Sequence, residues 1–154
     1  MIEDATNTLG CHLAAEVART FGSVRLRVSG TSMVPAILPG DLLSVERARA
    51  AKVSPGEVVV FAQQGRLVAH RVTAKRGTQD EYLITRGDRI RQEDAPVSDA
   101  ELIGRVTQVE RGRSQISAPS RGNIPWQMFC RLLRFSDRAT SLYLRLRGLP
   151  STLQ

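Results

Sequence analysis

Residues 58–72 read VVVFAQQGRLVAHRV and carry the pattern that decides the fold class. Two runs rich in apolar and β-branched residues, Val58–Phe61 and Leu67–Thr73, flank a polar turn at Gln64 and Gly65. Runs of this kind predict β-strands, and Gly beside a polar residue favours a turn. The two strands follow each other without a helix between them, so we expect an antiparallel sheet.

Further runs of the same kind lie on both sides of this segment, at Val24–Val28, Leu42–Val45, Tyr82–Thr85 and Leu102–Val109. Turn residues separate these runs, and the sequence contains no internal repeat. We therefore predict a mainly β fold with one antiparallel β domain over residues 24–118. A chain of 154 residues accommodates such a domain with an appendage but is cramped for two full domains.

Residues 1–23 are predicted to form a short N-terminal helix. Thr8 can act as its N-cap, and Gly22 is placed to end it. The apolar side of this helix is predicted from residues that recur at every fourth position: Leu9, Leu13, Val17 and Phe21.

Residues 119–154 form a basic tail, in which we predict a long amphipathic helix over residues 124–147. Pro125 near its start and Gly148 after its end are boundary signals, and the helix would be about 35 Å long. On a helical wheel, a wide apolar arc lies opposite a narrow stripe of arginines: Arg131, Arg134, Arg138 and Arg145.

The formal net charge of +7 comes from this tail. Residues 111–154 contain eight arginines and a single acidic residue, Asp137, whereas residues 1–110 are balanced. The tail helix can pack on the β domain, pack on a second copy of the chain in a homo-oligomer, or lie on an anionic membrane surface, and the pattern leaves these alternatives open. Nucleic acid is the less favoured partner, because exposed aromatic residues do not interleave with the arginines.

Several classes of protein are excluded by other features. Cys11 and Cys130 lack the spacing of a metal site or a redox pair, and we expect neither a metal ion nor a cofactor. No segment approaches the roughly 18 to 20 apolar residues that span a bilayer, and the N-terminus lacks the pattern of a signal peptide. We therefore expect a cytoplasmic protein, or one bound peripherally to the inner face of a membrane.

Candidate chemistry lies at a serine and a histidine. Ser32 occupies a turn framed by Gly30 and Pro35, and His70 lies in the second apolar run quoted above. A serine hydroxyl becomes nucleophilic when a turn exposes it and a neighbouring base accepts its proton. Taken separately, each residue also fits a structural role, as a turn serine and a core histidine. Together they predict a nucleophile and its general base.

Five short boxes extend this pair into a recognisable order: GTSMVP with GD within 30–41, GEVVVF at 56–61, VAHRV at 68–72, LITRGD at 83–88 and IGRV at 103–106. In these boxes the chain resembles the type I signal peptidase family over about residues 24–110. The self-cleaving repressor peptidases share the serine box and the β-rich fold, so they are the related class that has to be excluded. The resemblance implies a signal-peptidase-like antiparallel β domain.

The resemblance implies Ser32 as nucleophile and His70 as base. His70 stands where the bacterial branch has a lysine and where the archaeal and endoplasmic-reticulum branch has a histidine. A histidine has an ordinary pKa of about 6.5 and can accept a proton at neutral pH. Asp88 and Asp94 stand where the family places an orienting carboxylate. We favour Asp94 for this role, while Asp88 holds the loop or shares the role.

The turn around the serine is interpreted in the same way. The backbone N–H of Ser32 is the expected oxyanion donor. Gly30 stands where many bacterial relatives carry a second donor, so Thr31 or another amide would have to supply it. Met33 and Pro35 are expected to shape the turn and the substrate groove.

The predicted function is a serine endopeptidase that removes a leader, signal or pro-segment from an extended peptide or protein substrate. Two alternatives come from other classes. One is a self-cleaving, repressor-like regulator, and the other is a peptide-binding or membrane scaffold without catalytic turnover.

Overall fold

The computed structural model describes residues 2–77, 81–118 and 137–146. The helical elements are α1 (Ile2–Phe21), a short 3₁₀-helix (Ala50–Lys52) and α2 (Asp137–Leu146). The strands are β1 (Ser23–Arg27), β2 (Leu42–Glu46), β3 (Val58–Gln63), β4 (Arg66–Arg76), β5 (Tyr82–Arg86), β6 (Leu102–Arg111) and β7 (Ser114–Ser117). The predicted antiparallel β fold with an N-terminal helix is confirmed, whereas β7 was not anticipated.

The seven strands form one sheet in the order β1-β2-β6-β3-β4-β5, with β7 paired to β6. Neighbouring strands are antiparallel. The long strand β4 pairs with β3 over residues 66–71 and with β5 over residues 71–76. Within the described residues, the 66–70 half of β4 therefore has a strand partner on one side only.

The core consists of one cluster on each face of the sheet. Val58 and Val60 belong to the first cluster, and Val59 and Phe61 belong to the second. Side chains alternate between the two faces of a strand, so a strand that is covered on both faces is apolar without interruption. This explains why the VVVF run is wholly buried.

The predicted apolar side of α1 was wrong. Leu9, Leu13 and Phe21 are 67%, 62% and 76% exposed. The buried side consists instead of small residues, Cys11, Ala14 and Ala18, where α1 packs on the sheet. Small side chains let the helix backbone come close to the sheet, and large ones at these positions would hold it away. The predicted start at Thr8 was also wrong, because the helix runs from Ile2 through Thr8.

Of the long tail helix predicted over residues 124–147, the structure describes only the part that forms α2. Arg131 and Arg134 lie outside the described residues, as does Cys130, while Arg138 and Arg145 fall within α2. Large apolar side chains of α2, Leu142 and Leu146, are exposed. In the described part of the chain, no helix is both long enough and apolar enough to span a membrane.

Candidate active site

Ser32 lies in the loop between β1 and β2, where the backbone turns tightly. The N–H of Val34 donates to the carbonyl oxygen of Thr31 at 3.1 Å, and the N–H of Ile37 donates to that of Met33 at 3.0 Å. Thr31 and Met33 are buried, whereas Ser32 is only half-buried. The turn therefore presents the serine while its neighbours anchor the loop in the protein.

His70 reaches this serine from β4. It shares a strand face with Val68 and Val72, is itself buried, and meets the ring of Phe61 edge-on with centroids 6.2 Å apart. Its Nε2 lies 3.0 Å from Ser32 Oγ, which is within hydrogen-bond distance. The structure thus brings together the two residues that the sequence predicted as nucleophile and base.

Asp94 contacts the other side of the imidazole. Its Oδ2 lies 2.7 Å from His70 Nδ1, and the hydroxyl of Thr85 donates to the same oxygen at 2.6 Å. The N–H of Asp94 donates to the carbonyl oxygen of Thr85 at 2.9 Å, which ties the loop to the end of β5. Burial alone would raise the pKa of Asp94, but the hydrogen bonds from His70 and Thr85 and the charge of His70 outweigh it. The pKa of Asp94 therefore lies below its ordinary value.

This arrangement selects one tautomer of His70. A carboxylate accepts hydrogen bonds, so the proton of the neutral imidazole belongs on Nδ1, where it is donated to Asp94. Nε2 is then left with its lone pair facing the hydroxyl of Ser32. The geometry suits transfer of the Ser32 proton to Nε2.

Asp88 is engaged by an arginine. Arg71 Nε donates to Asp88 Oδ1 and Arg71 Nη2 donates to Asp88 Oδ2, both at 2.7 Å. A third nitrogen of Arg71, Nη1, donates to the carbonyl oxygen of Gly56 at 2.8 Å. Both side chains are buried. Of the two carboxylates left open by the sequence, Asp94 contacts the imidazole and Asp88 fixes the turn at the end of β5.

Gly87 lies in that turn and was not recognised from the sequence as a site residue. A Cβ atom at Gly87 would lie 3.0 Å from His70 Nε2 and 2.8 Å from the carbonyl oxygen of Ser32. The N–H of Arg89 donates to this same carbonyl oxygen at 2.9 Å. The turn therefore closes directly over the Ser32–His70 pair, and only glycine fits there without a shift of neighbouring atoms.

Thr85 is the second residue that sequence analysis missed. It is fully buried, and its hydroxyl reaches the carboxylate that contacts His70. Thr85 and Gly87 both belong to the LITRGD box, which was the available signal. Their contacts depend on tertiary structure, so the box alone does not reveal them.

An apolar cavity of about 320 Å³ opens beside the Ser32–His70 pair. Gly30 and Met33, two of the four residues expected at the groove, are among its lining residues, whereas Thr31 and Pro35 are buried within the turn and do not line it. The cavity lies between the end of β1 and the 66–70 half of β4, and its apolar walls include Leu26, Val28, Ile37, Leu67 and Ala69.

The loop that carries Ser32 is braced at its far end. Asp41 accepts hydrogen bonds from the N–H of Leu38 at 2.8 Å and from Arg111 at 2.9 and 2.7 Å. Arg111 also donates to the carbonyl oxygen of Ala36 at 3.2 Å. The hydrogen bonds to Asp41, with the charge of its carboxylate, outweigh burial and raise the pKa of Arg111. Asp41 thus fixes the loop that carries Ser32.

The two lysines of the chain, the residue type that serves as base in the bacterial signal peptidases, form other contacts or lie on the surface. Lys75 Nζ donates to the carbonyl oxygen of Ala51 at 2.7 Å and forms an ion pair with Glu81 at 3.2 Å. Lys52 is exposed on the 3₁₀-helix. Among residues 2–77, 81–118 and 137–146, no three His, Cys, Asp or Glu side chains are placed to hold a metal ion.

A serine in a tight turn of a β domain, beside a histidine and an apolar groove, is typical of serine peptidases. The comparison with protein families agrees at this level. Residues 8–107, well over half of the chain, match the family described as Peptidase S24-like. The chain belongs to this family, which contains the type I signal peptidases and the self-cleaving repressors. A search of curated proteins finds no match.

Proposed function

We propose that this chain is a serine endopeptidase that cleaves a leader, signal or pro-segment from a protein substrate. The observation that carries the proposal is the continuous line from Ser32 Oγ through His70 to Asp94, with separations of 3.0 and 2.7 Å. Family membership supports a peptidase or a self-cleaving regulator. The line of hydrogen bonds favours histidine as the base.

The proposed reaction proceeds through an acyl-enzyme. His70 Nε2 takes the proton of Ser32 as Oγ bonds to the carbonyl carbon of the substrate, and the imidazolium then gives this proton to the leaving amine. In the second half, the same nitrogen takes a proton from a water molecule as its oxygen attacks the ester carbon. The imidazolium then gives this proton to Ser32 Oγ as the bond between Oγ and the acyl carbon breaks. Asp94 keeps its negative charge throughout, which stabilises the imidazolium and holds its Nδ1–H.

Oxyanion stabilisation is assigned to the backbone of the serine turn. The N–H of Ser32 is the proposed first donor, because amides in such a turn can be aimed at the charge that develops on the carbonyl oxygen. Thr31 is the proposed source of a second donor. Removal of one such donor typically costs about 10²- to 10³-fold in kcat.

The substrate is proposed to bind as an extended strand. It would lie between β1, which is at the edge of the sheet, and the 66–70 half of β4. Main-chain hydrogen bonds would supply affinity, and the apolar cavity would receive small uncharged side chains that precede the cleaved bond. A charged side chain there would lose hydration against the apolar walls.

The experiment is cleavage of a peptide library by the purified chain. We expect cleavage after small residues and its loss in Ser32→Ala and in His70→Ala. His12→Ala is the matched control, because His12 is exposed on α1. Unchanged cleavage by either active-site variant would contradict the proposal.

Self-cleavage is the second candidate, favoured by the family match. It is tested by incubating the purified chain alone and mapping fragments by mass spectrometry. A Ser32-dependent first-order break within the chain, without cleavage of added peptides, would support a regulator. Absence of both activities would support a scaffold instead.

We also propose that α2 contacts an anionic membrane surface. Leu142, Leu146 and Arg145 are exposed on this short helix. The apolar side chains would enter the interface while arginine contacts lipid phosphates. Co-sedimentation with anionic vesicles should exceed that with neutral vesicles and should fall in Leu142→Gln/Leu146→Gln. Equal binding to both vesicle types would refute the proposal.

A further inference from the structure

A second cavity, of about 480 Å³, lies away from Ser32. It is formed by the C-terminal half of α1, by the segment after β2 and by the first residues of β6. We call it the arginine cleft, after the side chains Arg19, Arg47 and Arg49 among its lining residues. Asp99 is the acidic residue in its wall, and Ala15, Ala48 and Ile103 are among its apolar residues.

Backbone contacts fix the segment after β2 that carries Arg47 and Arg49. A Cβ atom at Gly104 would lie only 2.0 Å from the carbonyl oxygen of Glu46, so glycine is required for the close crossing of β6 and the end of β2. The N–H of Arg47 donates to the carbonyl oxygen of Gly22 at 2.9 Å. The N–H of Ala50 donates to Asp99 at 2.5 Å. Arg47 and Arg49 therefore extend from a fixed segment.

The charges of the cleft are unbalanced. Asp99 supplies one negative charge and accepts a hydrogen bond from the N–H of Ala50, and Arg19 pairs with Glu16 at 3.0 Å, so one of the three arginine charges remains in excess. Neither Arg47 nor Arg49 has a side-chain hydrogen bond or ion pair with another residue in the described part of the chain. Two guanidinium groups above a small apolar floor can receive carboxylates in bidentate geometry.

The position of the cleft relates it to the active site. Strand β1 connects the two cavities: Ser23 follows Gly22 at the cleft, while Leu26 and Arg27 line the apolar cavity beside Ser32. The span from Ser23 to Arg27 is about 13 Å at roughly 3.3 Å per residue. A substrate strand alongside β1 advances at the same pitch.

From this placement we infer that the arginine cleft binds an acidic segment of the protein substrate. This segment would lie about five to eight residues from the cleaved bond, on the side that occupies the apolar cavity. The inference rests on the proposed peptidase function for this position. Charge complementarity selects an acidic peptide over a neutral or basic one.

The first arm of the test measures binding without cleavage. Two labelled peptides share a small-residue cleavage site and differ in carrying a run of Glu or a run of Gln at the stated distance. With the full-length Ser32→Ala chain, fluorescence anisotropy should give about tenfold tighter binding of the Glu peptide. The double variant Arg47→Gln/Arg49→Gln, made in the same background, should abolish the difference. The matched control Arg76→Gln/Arg113→Gln removes the same charge from other exposed positions and should retain it.

The second arm compares kcat/KM for the two peptides in the wild-type chain. A preference for the Glu peptide, lost in the cleft variant and at high salt, is the expected result. Equal binding of both peptides by the Ser32→Ala chain would overturn the inference, even if the wild type cleaves both. If neither peptide is cleaved but the binding difference appears, the cleft assignment stands and the peptidase proposal fails.

Discussion

Two carboxylates six positions apart, Asp88 and Asp94, occupy different regions of the same site. Asp94 accepts a hydrogen bond from the imidazole of His70, whereas both carboxylate oxygens of Asp88 accept hydrogen bonds from the guanidinium of Arg71. An imidazole can change its charge during a reaction, but a guanidinium is always protonated. The two carboxylates therefore differ through their partners: Asp94 is placed to hold and stabilise an imidazole that is proposed to move a proton, whereas Asp88 holds the turn.

The largest expected effect falls on the His70 side of the comparison. In Asp94→Asn, the amide can donate a hydrogen bond to Nδ1, which would leave the proton on Nε2, facing Ser32. We expect kcat for peptide cleavage to fall about 10²- to 10⁴-fold while the fold is retained. The adjacent exposed carboxylate gives the control, since Glu93→Gln should stay near the wild-type rate. An Asp94→Asn chain that cleaves normally would remove Asp94 from the mechanism.

The opposite pattern is expected on the Arg71 side. Asp88→Asn removes the carboxylate that pairs with the buried guanidinium of Arg71, and breaking a buried pair in this way typically costs about 3–5 kcal/mol of unfolding free energy. Urea denaturation should show this loss, while kcat per folded molecule falls much less than in Asp94→Asn. If stability is unchanged and kcat collapses, the division between the two carboxylates is wrong. Glu16→Gln, on the exposed side of α1, is the control for charge loss.

A smaller effect sharpens the comparison within the Asp94 region. Thr85→Val removes the hydroxyl that donates to Asp94 Oδ2 and keeps the volume of the side chain. We expect roughly a 10- to 100-fold loss of kcat with little change in KM, since loss of a hydrogen bond to a charged group costs about 1.5–3 kcal/mol in typical cases and each 1.36 kcal/mol is a factor of ten in rate. Thr85→Ser should restore most of the rate. Equal losses in both variants would mean that Thr85 acts through packing alone.

The smallest effect concerns acid stability. Because the pKa of folded Asp94 is lowered, its ionised form stabilises the protein above the unfolded value of about 3.9, and this contribution is lost as the pH falls through the folded pKa. The difference in unfolding free energy between wild type and Asp94→Asn should shrink as the pH falls below about 4. A difference that grows as the pH falls below about 4 would contradict the assigned direction.

Much of the β domain could be predicted from sequence, for reasons visible in particular residues. The uninterrupted Val58–Phe61 run has few alternatives to a strand buried on both faces, and its observed element is Val58–Gln63. Strand β7 contains Ser114, Gln115 and Ser117, so its exposed side chains carry little strand signal. Strand β7 forms because it pairs with β6. This pairing is a tertiary contact, so the local sequence does not predict it.

The prediction of the apolar side of α1 was wrong for a different physical reason. Leu9 and Leu13 dominate any reading by hydrophobicity, yet Ala14 and Ala18 make the contact with the sheet because they allow a close approach. In the site, Ser32, His70 and Asp94 were accessible through short motifs. The contact of Gly87 with the imidazole was not, because it arises only when β4 and the turn after β5 are assembled.

In the proposed mechanism, His70 removes the proton of Ser32 during formation of an acyl-enzyme. An activated peptide ester ending in a small residue would make deacylation the slow step, so that the intermediate accumulates. Mass spectrometry of the acid-quenched reaction should find the acyl group on Ser32 in the wild type, with formation slowed by a factor on the order of 10³ or more in His70→Ala. Equally fast acylation of Ser32 in both chains, or an acyl group on another residue, would contradict the account.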